Sequence, residues 1–345
     1  KVESVDFPLP MPSDEAGLCA DNHQRRYLWT DAFGVLAFTS IAERYEQEGK
    51  INEAEKYRQA SATLVDTVHK CLGSPRSRKD VDAMKEDSAS PTGYVGLRIG
   101  KVSSKKVTDY GMSYDGQYWH YVDKWLLALA RAERVDDGIR IAKSCFPYFF
   151  DKGDSGTGRG GGIRWKLSID ATAPPPLQRA HVSDDTIDAL IVFSILESQR
   201  KDDTPSLADE IQMLKEALIG YKPRVTDDPL GWGLQAMYDQ FIDGHPRQRS
   251  LALIQSSALH PSHLSLPFRL YGAMIGARVA GKDVLAPHET VERLIHMSLE
   301  FEAQTAAAKE REEHSSINRV MLAMCLLCPG ALGRRPNDPI IKIGS

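Results

Sequence analysis

Helical periodicity runs through almost the whole chain, and this feature constrains the fold more than any other. Between residues 32 and 48, apolar side chains recur at steps of three and four, and Gly49 ends the pattern. Residues 52–71 repeat the pattern and stop before Gly73. Two amphipathic helices joined by a short turn bury their apolar faces against each other. The sequence therefore predicts an antiparallel helical hairpin over residues 32–71.

The same pattern recurs to the end of the chain and predicts an all-α protein. About eleven helices are expected, and no stretch has the alternation of a convincing strand. The further predicted helices span residues 114–134, 137–150, 184–199, 206–220, 231–243, 248–259, 266–281, 289–307 and 315–328. Long Gly/Pro/Ser-rich connections interrupt the hairpins, and long loops at one end of a regular scaffold usually carry function. The simplest architecture is an (α/α)6-type toroid of antiparallel hairpins.

Composition and charge place the chain among ordinary globular proteins. Hydrophobic residues make up 42% of the sequence and charged residues 26%, with 43 Lys and Arg against 47 Asp and Glu. The net charge of −4, without a basic run, argues against nucleic-acid binding. No apolar run has the length of a membrane span, so we expect a cytoplasmic monomer or homodimer with no membrane partner. The expected organisation is an N-terminal extension (1–26), a single toroid domain (27–330) and a C-terminal tail (331–345).

The five cysteines do not have the pattern of a disulfide scaffold. Their number is odd, and they are spread through a large chain. Cys325 and Cys328 form a C-x-x-C pair inside an apolar helical run, and a zinc site would need a second pair of ligands. We therefore expect buried thiols rather than a metal site.

Polar and aromatic residues cluster at the beginnings of alternate predicted helices. Trp, Tyr, Asp, Arg and His are costly to bury unless they are paired or line a pocket. If alternate helices begin at one rim, these clusters surround one cavity there. Helix N-termini also favour negative charge, so helix capping is the better explanation of each carboxylate taken alone, whereas it explains less well why such clusters recur at the same place in each repeat. The clusters are RRYLWTDAFG (25–34), SYDGQYWHY (113–121), GGIRWKLSID (161–170), RAHVSDDTID (179–188), DPLGWGLQAMYD (228–239), LSLPFRLYG (264–272) and EREEHSSIN (310–318).

RYLWTDAF at the first hairpin and DGQYWHYVDKW at a later helix start resemble the six-hairpin (α/α)6-barrel superfamily. The resemblance covers roughly residues 25–330. Glycoside hydrolases, unsaturated-uronide hydrolases and sugar isomerases of the N-acylglucosamine 2-epimerase type share that fold. The chain is also similar to bacterial and fungal proteins of unassigned function with the RYLWTDAF, DGQY, WK-S-D and DPLG elements. The resemblance implies a toroid with a small-molecule site, without a full catalytic signature of any one glycosidase family.

The candidate catalytic residues are those suited to acid–base chemistry on a sugar-like or cyclic small molecule. Glycoside hydrolysis needs one protonated and one ionised carboxyl group beside the anomeric carbon. Isomerisation would instead use histidine, whose ordinary pKa lies near 6.5. The candidates, which leave both reactions open, are Asp115, His120, His181, Asp184 and Asp185.

Substrate contacts are expected from the remaining residues of the same clusters. Indole rings can stack on the apolar face of a sugar, although plain packing explains them equally well. No cofactor is expected with this chemistry. The predicted substrate-binding residues are Trp29, Asp31, Tyr114, Trp119, Trp165, Lys166, Asp170, Trp232, Arg269 and His314.

Two alternatives stay open at this point. Asp184, Asp185 and Asp188 spell the DDxxD motif of isoprenoid and terpene cyclases, in which carboxylates hold Mg²⁺ ions that bind a diphosphate. No second magnesium motif accompanies it. The other alternative is a protein that binds a small molecule without turnover, which would need the aromatic residues but not the histidine–carboxylate pairs.

Overall fold

A computed structural model describes residues 26–75, 84–100, 115–153, 160–173, 183–220, 226–243, 254, 261–264, 266–280, 288–307, 312–328 and 330–343. These residues are mostly helical, which confirms the expected all-α class. They divide into two compact units, with the boundary between Ile219 and Gly220. In the described part of the chain, no helix is both long and apolar enough to cross a membrane.

Three helical hairpins form the first unit. Their helices are α1 (Leu28–Gln47), α2 (Ile51–Leu72), α3 (Trp119–Arg131), α4 (Val135–Phe149), α5 (Ser183–Ser198) and α6 (Ala208–Ala217). In addition to its hairpin partner, α3 packs against both α1 and α5, so the first helices of successive hairpins are neighbours. Four short strands accompany them, β1 (Gln117–Tyr118), β2 (Phe150–Asp151), β3 (Gly162–Ile163) and β4 (Lys166–Leu167), with β1 antiparallel to β4 and β2 antiparallel to β3.

The starts of α1 and α3 meet at one segment of the chain. The Leu28 amide donates to the Ile99 carbonyl at 3.0 Å, and the Ile99 amide donates to the Gly116 carbonyl at 3.0 Å. One extended segment thus satisfies backbone groups beside both helix N-termini. As a result, α1 and α3 begin at the same end of the unit.

The start of α5 joins them through the short strands. The Trp119 amide donates to the Trp165 carbonyl at 2.9 Å, and the Ile163 amide donates to Thr186 Oγ1 at 3.0 Å. Residues 163–165, at the end of β3 and just after it, therefore connect the first turns of α3 and α5. We call the end of the unit where α1, α3 and α5 begin the rim.

The second unit contains α7 (Pro229–Tyr238), α8 (Phe268–Ala280), α9 (His288–Ala307) and α10 (Glu312–Leu327). Helices α7 and α8 pack closely because glycines face each other at the crossing. A Cβ atom at Gly233 would collide with the Gly272 carbonyl, and one at Gly276 would collide with Gly233. The predicted helix over 248–259 lies outside the described residues, apart from Ile254.

The described cysteines, Cys71, Cys145, Cys325 and Cys328, are buried. Burial raises the pKa of Cys145 and of Cys325 to about 12, so both thiols stay protonated and poorly nucleophilic. They belong to the packed interior, as the apolar sequence around the C-x-x-C pair predicts.

Candidate functional site

A chain of aromatic rings runs along the rim where α1 and α3 begin. We call it the aromatic wall, and it consists of Tyr27, Trp29, Tyr118, His120, Tyr121 and Trp165. The Tyr121 ring lies 5.2 Å from that of Trp29 and 4.6 Å from that of His120, and the Tyr118 and Trp165 rings are 5.9 Å apart. Edge-to-face and tilted contacts at these distances are favourable. The wall is continuous from the start of α1 to the residue before β4.

Part of the aromatic wall is open to solvent. Trp29 and Tyr118 are buried, whereas Tyr27, His120, Tyr121 and Trp165 keep part of their surface exposed. The Trp29 Nε1 atom is also buried and has no hydrogen-bond acceptor among the residues the structure describes. Partly exposed rings offer a ring-shaped ligand a stacking surface.

His120 is held as a neutral imidazole. Burial, and then the nearby Lys124 ammonium, lower the pKa of His120 to about 3. A neutral imidazole has one donor and one acceptor nitrogen. With so low a pKa, His120 is suited to hydrogen bonding at neutral pH and poorly suited to taking up a proton.

A buried group of charged residues lies between α3 and α5, which we call the Lys124 cluster: Asp123, Lys124, Asp185 and Asp188. Lys124 Nζ is 2.7 Å from Asp123 Oδ2 and 3.6 Å from Asp188 Oδ2. Burial opposes the charged form of Lys124, but the carboxylates of Asp123 and Asp188 outweigh it, and the pKa of Lys124 is raised. The acidic neighbours of Lys124 therefore keep it in the charged ammonium form.

Asp185 is the carboxyl group of this cluster nearest the start of α5. Its side chain is buried, and burial together with the charge of Asp123 raises its pKa to about 8, against the opposing effect of Lys124. Burial also raises the pKa of Asp188 well above its ordinary value. A carboxyl group with a pKa of about 8 holds its proton at pH 7, which is what a general acid requires.

Asp31 is a second carboxyl group at the rim, in the first turn of α1. Burial raises its pKa to about 6, although Arg26 and the Tyr27 amide both favour the charged form. Asp31 Oδ2 accepts the Tyr27 N–H at 3.2 Å, and Arg26 Nη1 is 3.4 Å from Oδ1. These contacts give Asp31 a part in ordering the start of α1 beside the aromatic wall.

Asp115, a predicted catalytic residue, is engaged in a structural network. Arg98 Nη1 donates to Asp115 Oδ2 at 2.8 Å, and the Gly100 amide donates to Oδ1 at 2.9 Å. Arg98 is fully buried and also donates through Nε to the Ser74 carbonyl. With both carboxylate oxygens bound, Asp115 is better placed to anchor residues 98–100 than to act on a substrate.

Three further residues of the first unit were predicted to bind substrate, and each has different neighbours. Trp119 is fully buried and packs against Phe149 and Phe193, which favours a core role over ligand stacking. Lys166 Nζ lies 4.7 Å from the centre of the Tyr118 ring, a cation–π contact beneath the wall. Asp170 Oδ1 accepts the amide and hydroxyl of Thr172 and so closes a turn.

The remaining candidates belong to the second unit or lie outside the described residues. Arg269 Nη1 is 2.7 Å from Asp228 Oδ2 at the start of α7. Trp232 Nε1 donates to the Thr226 carbonyl at 2.6 Å. Tyr114 and His181 lie outside the described residues, as does the side chain of His314 in α10.

The DDxxD motif forms the first turns of α5. Asp184 is partly exposed and Asp185 is buried, while Asp188 faces the Lys124 ammonium. Over the described ranges, no group of three or more His, Cys, Asp or Glu residues is arranged to hold a metal ion. An ammonium group beside its third carboxylate makes this motif a poor fit to a pair of magnesium ions.

The residues predicted individually for the site did not include Tyr118, Tyr121, Asp123 or Lys124, although Tyr118 and Tyr121 lie in the predicted cluster 113–121. Tyr121 contacts four members of the aromatic wall, namely Tyr27, Trp29, Tyr118 and His120. A signal was present in WHYVDKW, where a charged pair interrupts a helix that is otherwise apolar and aromatic. Because charged residues are rarely buried without partners, such a pair indicates a polar site inside the fold.

No protein-family model, curated protein or solved structure matches the chain.

Proposed function

We propose that this protein is an enzyme that performs acid–base chemistry, by hydrolysis or isomerisation, on a sugar-like or cyclic small molecule bound at the rim. The observation that carries the proposal is the meeting of two features. The partly exposed aromatic wall lies at the start of α3. The buried Asp185 carboxyl group lies at the start of the neighbouring helix α5. Lys124 acts electrostatically on both His120 and Asp185, so the two features share one local environment.

In this proposal Asp185 is the general acid. It would donate its proton to the oxygen of a leaving group, or to a carbon or oxygen of an isomerising substrate. The partly exposed Asp184 beside it would be the base, since a carboxylate close to solvent can activate a water molecule. The aromatic wall would stack on the ring, with the neutral His120 as a hydrogen-bonding group.

The state of His120 makes this histidine a poor proton carrier for isomerisation. An isomerase of the expected type moves a proton with histidine, which works best when the imidazole pKa is near the working pH. The pKa of His120, at about 3, is far below that range. Two carboxyl groups in different environments, Asp184 and Asp185, fit the needs of hydrolysis better.

The proposal also covers the ring-shaped fold, the cellular location and the oligomeric state of the protein. Three hairpins whose first helices are adjacent and begin at one end are what half of an (α/α)6 ring requires. We propose a cytoplasmic monomer or homodimer whose partner is its small-molecule substrate.

A substrate panel tests the proposal. Nitrophenyl glycosides report hydrolysis, and proton NMR of free aldoses and N-acyl amino sugars in D₂O reports isomerisation by deuterium uptake. We expect turnover of a glycoside that is unchanged by a chelator. Turnover that requires Mg²⁺, with a diphosphate substrate, would favour the isoprenoid cyclase alternative. Thermal stabilisation by a panel member without turnover would favour the binding protein.

A further inference from the structure

We propose that Lys124 is a positioning residue, which holds Asp188 and with it the first turns of α5 that carry Asp185, and which sets the charge of the groups at the rim. This inference rests on the proposed function only in naming Asp185 as the acid. Lys124 was not among the site residues predicted from the sequence, and it lies within α3.

The geometry of Lys124 is that of a bridge between two helices. Its side chain and that of Asp123 are fully buried, and Nζ is 2.7 Å from Asp123 Oδ2 on its own helix. The same atom is 3.6 Å from Asp188 Oδ2 on α5, one turn after Asp185. The ammonium therefore fixes the first turns of α5 against α3, where the proposed acid is located.

Charge balance explains why a cation is needed at this position. The charged groups that act on Asp185 are Asp123 and Lys124 from α3 and Asp184 from its own helix. Several ionised carboxylates in one buried volume repel each other, so at least one must hold a proton. Lys124 neutralises one negative charge and leaves the proton to be shared by Asp185 and Asp188.

Lys124 also acts on the aromatic wall. His120 precedes it by four residues on α3, so the two side chains lie on the same face of the helix. A cation next to an imidazole disfavours the imidazolium form, whereas a cation next to a carboxyl group favours the carboxylate. A single ammonium thus lowers both pKa values, that of His120 and that of Asp185.

The test removes the ammonium and follows both groups. In Lys124→Met, the pKa of His120 and that of Asp185 should each rise by about one pH unit or more. NMR of labelled histidine, assigned with His120→Gln, reports the first, and the infrared carboxylic-acid band, assigned with Asp185→Asn, reports the second. Lys143→Met is the matched control, because Lys143 pairs with Glu210 on α6 and should leave both pKa values unchanged.

The double variant Lys124→Met/Asp123→Asn keeps the test decisive if the single variant does not fold. It removes one positive and one negative charge, so the pKa of Asp185 should return toward the wild-type value while that of His120 stays raised. A wild-type His120 titration in the folded double variant would overturn the proposal. These titrations do not depend on turnover: an inactive wild-type enzyme would refute the proposed function and leave the role of Lys124 to be decided by the two pKa values.

Discussion

At the scale of single residues, burial decides which protonation state each rim group has. His120 and Asp185 are both placed where solvation of a charge is poor, so each adopts its neutral form at pH 7. The neutral form of His120 is the deprotonated imidazole, whereas the neutral form of Asp185 is the protonated carboxylic acid. The sequence predicted both residues at the rim, but their depth depends on neighbours from α1 and α5 that are distant in sequence.

The raised pKa of Asp185 predicts how stability depends on pH. In the unfolded chain an aspartate has a pKa of about 4, whereas burial raises the pKa of folded Asp185 to about 8. Between these values the folded state binds more protons, so its contribution to the free energy of unfolding falls as pH rises from about 4 to about 8. Asp185→Asn removes this loss. Urea titrations should show the variant gaining at least about 1 kcal/mol over wild type between pH 5 and pH 8.5.

The same substitution at an exposed aspartate should not raise the free energy of unfolding in this way. Asp136 forms a surface pair with Arg140 on α4, and Asp136→Asn is the control. A difference between wild type and Asp185→Asn that is the same at both pH values would contradict a raised pKa.

At the scale of elements, the periodic pattern predicted most helices to within a few residues. It placed the start of α3 at 114, whereas α3 begins at Trp119 because Gln117 and Tyr118 pair with β4. It also placed the start of α1 at 32, although the helix includes the buried Leu28 and Trp29. Short strand pairings form between segments far apart in sequence, so a local pattern cannot reveal them.

The same limit applies to Asp115, whose partner is distant in sequence. Asp115→Asn should lower the free energy of unfolding by about 3 kcal/mol, because it leaves the buried Arg98 guanidinium without its counter-charge. Turnover per folded molecule should stay within a few-fold of wild type. Chemical denaturation and an assay of the folded fraction check both statements. A large loss of turnover with unchanged stability would restore the catalytic assignment.

The crossing of α7 and α8 provides a separate test of packing in the second unit. Gly233→Ala would place a methyl group against the Gly272 backbone, which cannot yield as a side-chain tip does. We expect the free energy of unfolding to fall by about 2 kcal/mol. Gly330→Ala is the matched control, because a Cβ atom there meets nothing within 4 Å. Equal stability of the two variants, measured by denaturation, would contradict the close crossing.

At the scale of the whole molecule, the sequence predicted a mainly helical chain, and the structure confirms that class. Closure of the hairpins into a toroid stays a prediction, because the pairing of first and last hairpins depends on contacts that no local pattern encodes. A closed ring should unfold in a single transition, since each inner helix is buried against both neighbours. Two separable transitions, one lowered by Gly233→Ala and one not, would indicate two independent domains.

The central claim is that Asp185 donates the proton at a rim shared with the aromatic wall. The most direct measurement is the turnover number of Asp185→Asn on the glycoside that the panel identifies, beside wild type and the Lys143→Met control. We predict a loss of at least about 100-fold for Asp185→Asn, in line with removal of a general acid. The control should retain wild-type turnover, and all three proteins should melt within a few degrees of one another at pH 6. Turnover of Asp185→Asn at the wild-type rate would contradict the claim.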